Sequence, residues 1–204
     1  RESNLKSNFD TGVTVEFWLK KNAFSSSATE KEVIFDLWNN NLSSSTSYGR
    51  LSIELSGTAT GSPFLITAQS GTVSSSIFTL PIGQGLTTSS IENWTHCAFR
   101  FYNTGSEFIS KLYINGRLND TNRYATSSLG EITTAEMIGR IGSLAASPSG
   151  SSAPANAGTL SASIDEFRFW KTNRNAKQIA TKYFTNVGGG TNTDISNTDL
   201  GVYY

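Results

Sequence analysis

The feature that most constrains this chain is strict period-two alternation, repeated along most of its length. In Val13–Lys20, Val13, Val15, Phe17 and Leu19 share one face, while Thr14, Glu16, Trp18 and Lys20 share the other. A helix would scatter these side chains around its axis, whereas a pleated strand sorts them into a core side and a second side. Gly49–Leu55 repeats the pattern with Leu51, Ile53 and Leu55 inward. Further strands are expected at 33–38, 64–69, 76–80, 94–102, 108–114, 117–123, 136–141 and 162–170, separated by Ser-, Asn- or Gly-rich connectors, notably 22–31, 39–48 and 143–160. Residues 147–157 hold little to bury and are expected to form a surface loop. So many short strands cannot each bury a face alone. Two stacked sheets are the economical solution.

Local signals sharpen this picture. Asn115-Gly116 lies between Leu112-Tyr113-Ile114 and Arg117-Leu118, which predicts a two-residue type I′ hairpin with φ > 0 at both central residues. One helix is expected over 173–184, capped by Asn173, with Ala176, Ile179, Ala180 and Tyr183 on one face and Gly188–Gly190 as its stop. The polar stretch 191–199 reads as a linker, and 200–204 as a strand that either closes this sheet or opens a following domain, the second being favoured. The expected division is a domain over 1–188 and a linker with that strand over 189–204. Because the chain starts at Arg1, it is expected to be part of a longer or processed protein.

Charge excludes some partners. Sixteen basic and sixteen acidic residues cancel, so no excess of cations favours nucleic acid or an anionic membrane. No apolar run nears the roughly 20 residues that cross a bilayer, so no membrane insertion is expected. Cys97 is the single cysteine, which rules out an intramolecular disulfide. The Ser-, Thr-, Asn- and Gly-rich palette suits a virion or an extracellular surface.

Five segments, in order, resemble the laminin-G-like branch of the concanavalin A-like lectin/glucanase superfamily. They are Val13–Lys20, Asn93-Trp94-Thr95-His96-Cys97-Ala98-Phe99, Lys111-Leu112-Tyr113-Ile114-Asn115-Gly116-Arg117-Leu118, Ile138-Gly139-Arg140-Ile141-Gly142 and Ser163-Ile164-Asp165-Glu166-Phe167-Arg168-Phe169-Trp170. The resemblance implies an all-β, two-sheet antiparallel jelly-roll sandwich with one short C-terminal helix. Any ligand would then bind on rim loops or on the concave sheet. It does not choose among lectins, adhesion modules, glycosidases and virion structural domains. The palette is most similar to the versions in phage structural proteins.

The catalytic reading finds little support. Glucanases of this superfamily carry Glu-x-Asp-x-x-Glu on one strand, and no Glu here has Asp two positions on. Asp165 and Glu166 are neighbours, expected on opposite faces. His96, the only histidine, has no Gly-x-Ser-x-Gly partner motif, and it cannot share a zinc ion with Cys97 across a strand. No catalytic residue, metal ligand or cofactor is therefore assigned. Structural calcium would need carboxylates, and loop 143–160 offers only Asn156, while Asn192, Asp194, Ser196 and Asp199 read as linker. Alternation puts Cys97, Phe99 and Phe101 in the core and Trp94, His96 and Arg100 opposite, His96 being expected to be hydrogen-bonded and structural.

Trp18, Trp94 and Trp170 fall on the polar faces of their strands, where a ring on a concave sheet could stack on a sugar, but cover by loops or the short helix is the favoured expectation. Trp38 ends a strand beside Asn39, Asn40 and Asn41, with Tyr48 across the loop. A partly exposed ring beside clustered amides offers stacking plus donors and acceptors, which is what a glycan rim site needs. Turn chemistry explains the same asparagines. The sequons at Asn41, Asn93 and Asn119 are what an Asn- and Ser-rich chain produces freely, and none is assigned as glycosylated. The expected function is a non-catalytic glycan- or protein-binding or structural module of a larger virion or surface protein. Its expected partners are a glycan, a surface protein and neighbouring domains of the same chain. The alternative is a carbohydrate-active enzyme.

Overall fold

The computed structural model describes residues 4–22, 32–55, 61–71, 77–124, 129, 132, 137–147, 152–155, 157–187 and 199–204. Within them run eleven strands and one helix: β1 (Val13–Lys20), β2 (Glu32–Trp38), β3 (Gly49–Leu55), β4 (Phe64–Ser70), β5 (Ile77–Ile82), β6 (Thr95–Thr104), β7 (Glu107–Ile114), β8 (Arg117–Tyr124), β9 (Ile138–Ile141), β10 (Ser163–Trp170), α1 (Ala176–Lys182) and β11 (Leu200–Tyr203). The strands form two antiparallel sheets, one of six in the order β11-β10-β1-β6-β7-β8 and one of five in the order β5-β4-β3-β2-β9. The expected all-β sandwich with one short helix is the observed fold. Every expected strand is present within a few residues, and 200–203 joins this sheet at its edge beside β10. Ser76, Glu136, Asn156, Gly188–Gly190 and the linker residues 191–198 lie outside the described residues.

Alternation built the core as the sequence dictated. Val13, Val15, Phe17 and Leu19 of β1 are fully buried, and so are Cys97, Phe99 and Phe101 of β6. Burial raises the Cys97 thiol far above its ordinary range, so it stays a neutral core group. The centre is a phenylalanine stack. Phe99 lies parallel to Phe101 at 6.4 Å, Phe101 to Phe108 at 6.4 Å, and Phe17 to Phe99 at 5.8 Å. Phe35 and Phe64 reach across from the five-stranded sheet to Phe167 and Phe99, at 5.1 and 5.2 Å. Such offset and edge contacts add to the burial of the rings.

Two details depart from the expected local structure. The helix is capped by Asn175, not Asn173: the Asn175 side chain accepts from the Gln178 amide at 2.9 Å, and Gln178 accepts back from the Asn175 amide at 2.7 Å. This reciprocal box satisfies two donors at once, which a lone Asn173 could not. Asn173 instead accepts from Arg100 Nε at 2.8 Å. The second departure is a bulge in β10, where the register against β1 slips between Glu16 and Trp18 and Glu166 takes φ +52°. The extra residue breaks alternation. Asp165 pairs with Trp18 on the helix side, and the Glu166 carboxylate turns to that side as well, accepting from Arg168 Nη2 and from the Tyr203 hydroxyl. The expectation that residues 165 and 166 face opposite ways is corrected by this bulge.

Candidate functional site

The five residues of the expected rim site do come together, but as a closed turn. Trp38 and Tyr48 are each only 2% exposed and pack with Ala145, Ala146 and Ile138. Trp38 Nε1 donates to the Asn41 carbonyl at 2.8 Å. Asn39 accepts from the Gly49 amide at 2.9 Å and donates to the Ser47 carbonyl at 2.6 Å, where Asn41 Nδ2 also donates. Asn40 takes φ +58°, the left-handed conformation asparagine tolerates. The expected partial exposure of Trp38 is thus overturned, and its ring has no free face on which a sugar could stack. The cause is Asp36, buried two register pairs away on the same strand face. Its carboxylate grips Arg50 through two bonds of 2.8 and 3.0 Å and accepts the amides of Ala145 and Ala146 at 2.8 and 3.2 Å. The two amide bonds draw the distant loop down over Trp38, and the four together leave the carboxylate fully engaged. They also occupy the carboxylate that a calcium ion would require.

The helix side of the six-stranded sheet holds a buried ionic cluster. Glu16 lies at its centre, 2.7 Å from Arg174 Nη1, 3.8 Å from Arg168 Nη1 and 3.9 Å from His96 Nε2. Burial raises the Glu16 pKa, against the pull of Arg174 and Arg168. Burial and the two arginines push His96 down to about 3, so it is neutral. Neither ring nitrogen of His96 has a hydrogen-bond partner among the described residues, contrary to the expected hydrogen-bonded role. Arg168 ties the cluster to the carbonyls of Lys182 and Thr185 at the end of α1, and Arg174 stacks on Trp170 at 4.2 Å. Trp18 packs between His96 and Tyr183. Trp170 is buried as expected, Trp18 is half-buried, and the cluster's work is to seat the helix.

Trp94 is the exception. Expected to be covered, it is 46% exposed, and it stands just ahead of β6. It borders an open cleft of about 510 Å³ lined by Lys20, Asn22, Trp94, Ser161, Ala162 and Ser163. Three strand ends build this cleft. Ser163 of β10 pairs with Lys20 of β1, and Leu19 pairs with Thr95; there the chain leaves the ladder, Lys21 donating its amide to the Ile91 carbonyl at 2.8 Å, with Trp94 just ahead of β6. Residues in register across a sheet share a face, so Lys20 and Ser163 stand side by side, and Trp94 lines the same cleft. The floor is pinned by a buried ion pair. Lys21 Nζ lies 2.8 Å from Glu32 Oε1, which also accepts the Ser161 amide at 2.9 Å, while Lys21 donates to the Ser161 carbonyl at 3.0 Å. The wall beneath Trp94 is fixed by Thr95, whose hydroxyl donates to the carbonyls of Ser90 and Asn93. A half-exposed indole on a rigid base, beside an amide and two hydroxyls, can stack on the C–H face of a pyranose while its hydroxyl groups find partners. In sequence, Trp94 looked like a strand residue. The useful signal was Asn93 before it, which marks a turn.

Among the described residues there is no group of three or more His, Cys, Asp or Glu side chains that could hold a metal ion. No helix of the described residues is long and apolar enough to cross a membrane.

Comparison with known proteins bears on the fold. The laminin-G-type family described as the concanavalin A-like lectin/glucanases superfamily matches residues 2–180. No curated protein sequence matches at significant similarity. Among solved structures, a protein from Bacteroides ovatus inferred to bind carbohydrate aligns at 12% identity and TM-score 0.53, over 98% of this chain and 48% of its own. The heptameric SAP-like pentraxin of Limulus polyphemus aligns at 14% identity and TM-score 0.51, over 86% of this chain and 71% of its own. This chain therefore spans about half the length of the Bacteroides protein.

Proposed function

Starting from the fact that the chain belongs to the concanavalin A-like lectin/glucanase superfamily, we propose that it is a non-catalytic glycan-binding module of a larger extracellular or virion-exposed protein. The observation that carries this reading is the half-exposed Trp94 beside the 510 Å³ cleft. An indole left in water at a rigid strand end loses burial that the other tryptophans enjoy, and stacking on a ligand recovers it. The carbohydrate binding attributed to the Bacteroides ovatus protein supports the same reading. Against catalysis, Asp36 is spent on Arg50 and two amides, Glu32 on Lys21 and Ser161, and Glu166 on Arg168 and Tyr203.

The test is a glycan array followed by calorimetry on the parent domain and on Trp94→Ala. Removing a central stacking tryptophan is expected to weaken affinity by about 30-fold or more, the scale of an aromatic hot spot. Incubation with the bound polysaccharide should release no shorter sugars. An empty array would overturn the reading in favour of an architectural or protein-contact role, and released product would replace it with an enzyme.

A further inference from the structure

Resting on that reading of the cleft, we propose that its ligands are anionic glycans, whose carboxylate or sulfate groups pair with Lys20. The two adjacent lysines at the end of β1 have opposite fates. Lys21 is buried, and its ammonium is neutralised by Glu32 at 2.8 Å. Lys20 points the other way, is exposed, and lines the cleft with no ion pair or hydrogen bond among the described residues. Of the six lining residues none is acidic: besides Lys20 there are Asn22, Trp94, Ser161, Ala162 and Ser163. Of the acidic residues near by, Asp165, two residues along β10 opposite Trp18, has a carboxylate that accepts the Glu166 amide at 2.8 Å, and Glu92, two residues before Trp94, is exposed and outside the lining. Among the described residues the cleft thus presents one positive charge without an ion-pair partner, beside a stacking surface. A neutral sugar would leave that ammonium to water. An acidic sugar seated on Trp94 would bring an anion onto it, with hydroxyl and amide donors of Ser161, Ser163 and Asn22 near by.

An exposed charge-assisted contact is modest in size and sensitive to salt. We expect about three- to tenfold preference for the anionic member of each pair at low ionic strength, the range for one such contact. The probes are trigalacturonic acid against its methyl ester, and a sulfated galactan oligosaccharide against its desulfated parent, titrated into the parent domain, Lys20→Gln and Trp94→Ala. The preference should shrink in high salt and vanish in Lys20→Gln, which should bind the two members of each pair with equal affinity. Trp94→Ala should weaken both members alike. Equal binding of neutral and anionic members by the parent, lost in Trp94→Ala, would leave the cleft a glycan site but overturn its anionic selectivity. Anionic preference that survives Lys20→Gln would overturn the assignment to Lys20. Binding unaffected by Trp94→Ala would overturn the cleft itself, and the selectivity with it.

Discussion

Gly116 sits where two demands meet, and replacing it with alanine measures both. Its φ is +77° and that of Asn115 is +47°, as a type I′ turn requires. The turn is also buttressed: the Asn115 side chain accepts the His96 amide at 2.9 Å, and its own amide donates to the His96 carbonyl at 2.9 Å. A β-carbon at Gly116 would lie 2.9 Å from Tyr183 Cδ1 and 3.0 Å from Ala180 Cα. The second neighbour is helix backbone, which cannot swing aside like a side chain. Left-handed strain in a residue with a β-carbon costs about 1–2 kcal/mol. Pressing that carbon against the helix adds about 1–2 kcal/mol more, the lower part of the range for overpacking. Gly116→Ala should therefore lose about 2–4 kcal/mol, or about 4–16 °C of melting temperature for a domain of this size.

The assay is thermal and urea unfolding followed by tryptophan fluorescence, with a double-mutant cycle against Tyr183→Ala. Removing the tyrosine ring clears one of the two obstacles, so the double variant should be about 1 kcal/mol less destabilised than the sum of the singles. Full additivity would locate the cost in the turn alone and refute the packing half of the argument. An unchanged midpoint in Gly116→Ala would refute the hairpin register and the docking of α1 together.

Trp38→Ala should cost about 3–5 kcal/mol, the range for a buried large aromatic, whereas Trp94→Ala, already half in water, should cost under about 1 kcal/mol. Thermal melts of the two variants decide it, and equal losses would contradict the burial described. Acid should weaken the fold through His96: the unfolded chain binds a proton below about pH 6.5 that the folded imidazole refuses until about 3, so stability falls with pH across that window, by about 2 kcal/mol at pH 5. Glu16, raised by burial, acts in the opposite sense, gaining as pH falls through its folded value. The measurement is accordingly the difference in urea midpoint between parent and His96→Gln from pH 7 to pH 5, and parallel curves would remove His96 as the cause.

The sheets were legible because their information is local. Period-two alternation in Val13–Lys20 or Gly49–Leu55 names both the strand and its buried face. Asn115-Gly116 names the hairpin for a similar reason, since the required φ is written in two adjacent residues. The helix was found but its cap misplaced. Two asparagines compete within three positions, and only the Gln three residues after Asn175 completes a box. The bulge at Glu166 escaped entirely, because Ser163–Trp170 shows no glycine or proline to mark it. What stabilises it is partly remote: Tyr203 of β11 holds the Glu166 carboxylate together with Arg168 of the same strand.

The exposure of the two tryptophans escaped the sequence for a sharper version of the same reason. Trp38 and Trp94 both stand at strand ends beside asparagine, so neighbouring residues give them equal claims to a ligand. Their fates separate only through a carboxylate that neither touches in sequence. Asp36 reaches the amides of Ala145 and Ala146, more than a hundred residues away, and brings that loop over Trp38. At the other strand end Glu32 does the analogous work with Lys21 and Ser161, but it fastens a floor and leaves the space above open. One buried acid closes a surface and the other builds a cleft. Exposure at such positions is therefore decided by what the nearest buried charge must find to be satisfied, and that partner is chosen by the fold and not by the segment. A sequence reading that begins from each unpaired acid near a strand end, and asks which distant amides or lysines could satisfy it, would have tested both tryptophans on the quantity that separates them.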